Sequence, residues 1–110
     1  MTVKEMAAQY GWTLLAGREG EDNQIDGCYV GDLLSWVMAR ARPGNVWITV
    51  MGNVNAIAVA ALTDASCILL TENAVLDADA AQKAETQGIP VYGCGANSYQ
   101  AAIQFYQALQ

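Results

Sequence analysis

Few residues in this chain have the types and spacing that chemistry needs. Histidine is absent, so general acid–base work would fall to carboxylates. Asp26 and Asp32 are the best placed of these, on either side of Gly27-Cys28-Tyr29-Val30-Gly31. Acids beside glycines, however, ordinarily form solvated turns or cap helices. Cys94 sits between Gly93 and Gly95 just ahead of an expected helix start, a setting that can lower a thiol pKa. Cys28 beside Gly27 is a weaker case of the same kind. No basic residue neighbours either thiol, so neither is assigned as a nucleophile. There is no G-x-x-x-x-G-K-[ST] motif, and neither Lys4 nor Lys83 follows a glycine, which excludes a phosphoryl-transfer loop of that type. The three cysteines lie far apart with no C-x-x-C spacing, and without histidine they cannot form an ordinary zinc site in one chain. No catalytic residue, metal or cofactor is therefore assigned, and an enzyme is the least expected class.

Binding without turnover is better supplied. Four segments are small, neutral and rich in amides: Gly27-Cys28-Tyr29-Val30-Gly31, Met51-Gly52-Asn53-Val54-Asn55, Thr71-Glu72-Asn73 and Gly93-Cys94-Gly95-Ala96-Asn97-Ser98. Each is expected at a strand end, and several lead into helix starts with free backbone N–H groups. In open α/β sheets, ligands bind outside the carboxyl ends of the strands. The expected ligand-binding residues are Gly27, Cys28, Gly52, Asn53, Asn55, Thr71, Asn73, Gly93, Gly95, Asn97 and Ser98. Ordinary caps and turns account for the same asparagines and glycines, so their presence alone does not establish a site.

The elements that would position these loops follow from periodicity. Thr2 and Glu5 have capping-box spacing, with Val3, Met6, Ala7 and Tyr10 on one helical face until Gly11 ends the helix. WTLLA at 12–16 reads as a short strand and GREGEDNQ at 17–24 as a surface loop. GDLLSWVMARA reads as a helix opened by Asp32 and ended by the turn Arg42-Pro43-Gly44-Asn45. VWITV and CILL are continuous β-branched and aliphatic runs, the pattern of strands covered on both faces. Between them Asn53 starts a nearly all-apolar helix over Ala56 to Thr63. Asp77 caps a more polar helix that ends before Gly88, Pro90-Val91-Tyr92 begins a further strand, and Asn97 or Ser98 caps the last helix. Tyr99, Ala102, Ile103, Tyr106 and Leu109 form the expected buried stripe of that helix. Helices alternating with short apolar strands predict one Rossmann-like layered α/β domain over residues 1–110, with a short, mostly parallel sheet.

Composition sets the partners. Eleven acids against five bases give a net charge of −6, which repels phosphate backbones and anionic lipid and argues against nucleic acid or membrane as a partner. No apolar run approaches the ~20 residues of a membrane span, and MTVKEMAAQ lacks a signal-peptide core. Three unpaired thiols fit a reducing, cytoplasmic setting. Apolar residues are 54% of the chain and charged ones 15%, an excess that predicts apolar surface meeting a partner. Leu33, Leu34, Trp36, Val37 and Met38 wrap nearly the whole circumference of their helix, so a second subunit is expected on one side of it.

The segments TVKEMAAQYGWTLLAG, EDNQIDGCYVGDLLSWVMARA, VWITVMGNVNAIAVAAL and GIPVYGCGANSYQAA resemble the DRTGG domain family in its stand-alone form, over nearly the whole chain. YVGDLLSWVMARA followed by NVNAIAVA is the more specific part. The naming motif falls on Asp22-Asn23 and Asp26-Gly27-Cys28 and retains only Asp22 and Gly27. The resemblance implies a fold similar to the N-terminal domain of HPr kinase/phosphorylase, without a kinase centre, and a regulatory or dimerising role beside nucleotide-sensing CBS domains. The expected function is a non-catalytic, homodimeric regulatory module that binds a small metabolite or nucleotide. The alternative is an interaction scaffold without a ligand, pairing with itself or docking on a larger enzyme.

Overall fold

The computed structural model describes all 110 residues. Its strands are β1 (Thr13–Ala16), β2 (Cys28–Val30), β3 (Val46–Thr49), β4 (Cys67–Leu70) and β5 (Val91–Gly93). They form one sheet in the order β1-β5-β4-β3-β2, with β1 antiparallel to β5 and every other pair parallel. The helices are α1 (Val3–Tyr10), α2 (Leu34–Arg40), α3 (Val54–Thr63), α4 (Ala78–Gln87) and α5 (Ser98–Ala108). The short, mostly parallel α/β sheet expected from the sequence is the one observed.

Register divides the core in two. Trp47 pairs with Ile68, and Ile68 with Val91. These side chains share one face of the sheet and pack under Val37 of α2, Ile57 and Ala60 of α3, and Ala80 and Ala84 of α4. Their neighbours in the strands, Val46, Ile48, Cys67, Leu69 and Tyr92, point to the other face and meet Val3 and Met6 of α1 and Ala101 of α5. Strands buried on both sides need no polar alternation, which is why VWIT and CILL read as unbroken apolar runs.

The four parallel strands lie side by side in chain order, and repeated crossovers of one hand place α2, α3 and α4 on one face. The pattern breaks after β5. There α5 turns to the opposite face and joins α1, and β1 closes the sheet edge from the other direction. Local signals fix the helix ends. Thr2 and Glu5 form the full capping box of α1, Gly11 (φ 71°) ends it in the left-handed region, and Asn53 accepts from the Ala56 N–H at 2.9 Å to cap α3.

Three details depart from expectation. Asp32 does not cap α2, whose N-cap is Leu33 without a side-chain bond. Its Oδ1 instead accepts from Thr49 Oγ1 (2.7 Å) and the Val50 N–H (3.0 Å), tying the end of β2 to the end of β3. Asp77 occupies the N-cap of α4, but its side chain makes no capping bond. On α5 the expected stripe is inverted except at Ala102, which packs toward the core. Tyr99 and Tyr106 are 75% and 67% exposed and Ile103 and Leu109 are also exposed, while Ala101, with Ala102, Phe105 and Ala108 beside it, faces the core. The sheet under α5 presents Val46, Ile48 and Leu69, and the helix meets them with Ala101, Ala102, Phe105 and Ala108.

Candidate functional site

Adjacent strands whose following connections leave toward opposite faces open a crevice between them. In this sheet that happens once among the parallel strands, between β4, which leads to α4, and β5, which leads to α5. A cleft of about 480 Å³ lies there, within the size range of small-ligand sites. Asn73 and Ala74 after β4 and Gly93 to Ala96 after β5 form one side. The antiparallel start of β1 supplies the other side, with Tyr10, Trp12, Thr13 and Leu15, and Gln104 comes from α5.

The loop after β4 is held in an unusual shape. Glu72 (φ 57°) and Asn73 (φ 55°) are consecutive left-handed residues, a conformation that costs a non-glycine residue about 1–2 kcal/mol, least for asparagine. Cross-bonds to the loop after β5 fix it. Glu72 N–H donates to Ala96 O (2.8 Å), Asn73 N–H donates to Cys94 O (2.9 Å), and the Thr71 and Ser98 hydroxyls bond at 2.9 Å. Asn97 caps α5 by accepting from the Gln100 N–H at 2.8 Å. Asn73, Gly93 and Gly95 therefore border the cleft, whereas Thr71, Asn97 and Ser98 brace the loops behind it.

The other expected site residues lie elsewhere. Gly52 is on the same rim, but the chain's own segment Val75-Leu76 lies against its Cα, and Gly52 O accepts from the Asp77 N–H at 2.8 Å. Asn53 and Asn55 start α3 outside the cleft. Gly27 and Cys28 are not at that rim, because Cys28 opens β2 and Gly27 precedes it at the opposite end of the sheet. There Gly27 (φ 92°) lies against the Asn45 amide, which donates to Asp26 O at 2.7 Å. The aromatic wall was not expected. Its one visible signal was a helix-ending glycine between two aromatics, Tyr10-Gly11-Trp12.

No carboxylate, amine or guanidinium lines the cleft. Cys94 lines it, but burial pushes its thiol above the ordinary value, so it is a poor nucleophile at neutral pH. Burial also pushes Cys28 up to about 12 and Cys67 higher still. No three histidine, cysteine or acidic side chains come together to hold a metal. Trp12 is 7% exposed, and its Nε1 is the only buried side-chain nitrogen or oxygen in the molecule without a hydrogen-bond partner. Such an orphan costs about 1–3 kcal/mol. The lining is neutral, made of amides, backbone, aromatic rings and one thiol whose pKa burial raises.

Of the expected interface residues, Leu34 packs against the core and Val37 is fully buried within it. Only Leu33, Trp36 and Met38 face outward, each more than half exposed, with the Arg40 guanidinium 3.8 Å over the Trp36 ring. The correction follows from the shortness of α2. Seven residues beside a sheet edge give one inner face and one outer face rather than burial all round.

These features define a layered α/β domain with a ligand-sized crevice at its strand ends. No protein-family model matches the sequence, and no curated protein does. The fold is similar to a crystal structure of the CBS and DRTGG domains of the regulatory region of Clostridium perfringens pyrophosphatase, complexed with its activator diadenosine tetraphosphate. The TM-score is 0.76 at 11% identity, covering 94% of this chain and 45% of that one. The present chain thus spans under half of a regulatory region that holds two kinds of domain. No helix is long and apolar enough to cross a membrane.

Proposed function

We propose that this chain is a non-catalytic regulatory module of the DRTGG type that binds a small metabolite or nucleotide at the carboxyl rim of its sheet. One observation carries the reading: a cleft walled by Trp12 and Asn73 opens where the connections from β4 and β5 part to opposite faces. The fold shared with a regulatory region supports it. A thermal-shift screen over nucleosides, nucleotides and organic phosphates tests it. A ligand at one hundred times its dissociation constant adds about 2.7 kcal/mol to stability, and no shift from any compound would overturn the reading.

A second reading, in which the chain is an interaction scaffold, is favoured by Leu33, Trp36 and Met38, which stand exposed beside the open edge of β2. Burial of one such side chain contributes about 1.5–3 kcal/mol, so a few of them suffice to hold a homodimer or to dock on a larger enzyme. Light scattering at micromolar concentration distinguishes the cases. A dimer that Trp36→Asp dissociates supports self-pairing, and a wild-type monomer rules it out.

A further inference from the structure

We infer that the ligand of the β4/β5 cleft is an uncharged planar heteroaromatic, a nucleobase or nucleoside rather than an oligophosphate, and that one of its acceptor atoms takes the indole N–H of Trp12. The inference rests on the reading of this cleft as the binding site.

Charge decides the first part. The chain has five basic residues, and none lines the cleft. Lys4 and Arg18 both reach Glu21 (3.7 and 3.8 Å), Arg40 covers Trp36, Arg42 lies in the turn before β3, and Lys83 is on α4 across the sheet. A polyphosphate seated here would meet no cation and would feel the field of a chain carrying −6. The wall decides the second part. Tyr10 and Trp12 stack with ring centroids 6.5 Å apart, and the same cleft is lined by Ala74, Ala96, Gly93 with the Leu15 side chain against it, and Gly95 with the Asn73 amide against it. A cleft lined by aromatic rings and small or aliphatic residues suits a flat ring, and stacking on aromatic side chains does not require a charged ligand.

The orphan nitrogen completes the case. The other buried tryptophan, Trp47, donates to Gly31 O at 2.9 Å, whereas Trp12 has no acceptor. Its Nε1 is covered, so an incoming acceptor must displace part of the wall. The Asn73 and Gln104 amides would then pair with the ring's remaining edge.

Nitrogen-15 labelling gives three indole resonances, one for each tryptophan, to be followed while adenosine, inosine, ATP and diadenosine tetraphosphate are titrated in turn. Adenosine or inosine should move the Trp12 signal downfield, leave Trp47 in place and bind at least about tenfold more tightly than ATP, with ATP improving as salt rises. Trp12→Phe, which keeps the ring and removes the donor, should weaken nucleoside binding about tenfold without loss of fold. Phosphorylated ligands that bind more tightly than nucleosides would overturn the inference while leaving the site reading intact. Nucleoside binding that leaves the Trp12 resonance unmoved would do the same. If none of the four compounds binds, the inference falls, and the broader screen then decides the site reading separately.

Discussion

The carboxyl rim of the sheet is built twice from the same kinds of residue, with opposite results. Over β3 the glycine-and-asparagine loop is spent on the fold. Asp32 clamps Thr49 and Val50, Val75 lies against Gly52, and Asn53 caps α3. Over β5 a loop of similar composition leaves space, and an aromatic wall with an unpaired indole N–H stands across from it. The comparison teaches that amide-rich loops mark the rim of such a sheet, while the direction of the next connection decides whether a loop is closed by its own chain or left open.

Paired glycine substitutions should break or sharpen that contrast most strongly. A Cβ at Gly52 would run into the Val75 carbonyl oxygen, whereas one at Gly95 would meet the Asn73 amide at an ordinary 3.5 Å. Gly52→Ala should therefore cost about 3 kcal/mol or more in urea unfolding, and Gly95→Ala no more than about 0.5 kcal/mol while weakening ligand binding. Equal losses of stability would mean that the β5 loop is as closed as the β3 loop.

Asp32→Ala comes next. It strips the buried Thr49 hydroxyl and the Val50 N–H of their acceptor, and denaturation should register a loss of about 1–3 kcal/mol with no change in ligand affinity. Asn73→Gly is its counterpart at the cleft. With φ at 55°, glycine suits the backbone there at least as well, so stability should hold while affinity for the ligand falls. An Asp32→Ala protein that loses affinity as well would join the two ends of the rim into one site.

Alkaline titration separates the thiols under the sheet from the one in the cleft. Burial raises Cys28 from 9 to about 12, Tyr92 from 10 to about 12, and Cys67 further. The unfolded chain releases these protons first, so stability should be intact below pH 9 and fall as pH rises toward 12, by about 1.4 kcal/mol per pH unit for a fully buried thiol. Mass spectrometry after alkylation of the native protein should find Cys94 modified first and slowly, and Cys67 last. Rapid modification of Cys94 at neutral pH would restore a nucleophile to the cleft.

The smallest effect is expected on the outer face of α5. Tyr99→Ser with Tyr106→Ser should change monomer stability by no more than about 0.5 kcal/mol, because both rings already face solvent. A loss of several kcal/mol would mean that the stripe is covered after all.

Much of the fold was legible in the chain. The Thr2–Glu5 capping box, the Asn53 cap, the left-handed stop at Gly11 and the doubly covered runs VWIT and CILL all stand as read. The misreadings have a common cause. Tyr99, Ile103 and Tyr106 repeat at helical spacing, and so do Ala101, Phe105 and Ala108, so period alone could not say which face turns inward. Bulk favoured the wrong one, because three alanines and Phe105 meet the sheet beneath α5 while the tyrosines face solvent. Gly27 looked like a strand-end loop because β2 is three residues long, too short for pattern to show which end of it the glycine marks.

Sequence by itself determined the elements, their caps and the neutral, cation-poor character of the loops, since each depends on residues within a few positions of one another or on composition. Only the tertiary structure decided that β1 enters the sheet antiparallel beside β5, that Asp32 clasps Thr49 instead of capping a helix, and that Trp12 and Asn73 line one cleft. Those arrangements join residues from seventeen to eighty positions apart, and no local period or cap carries information over that distance.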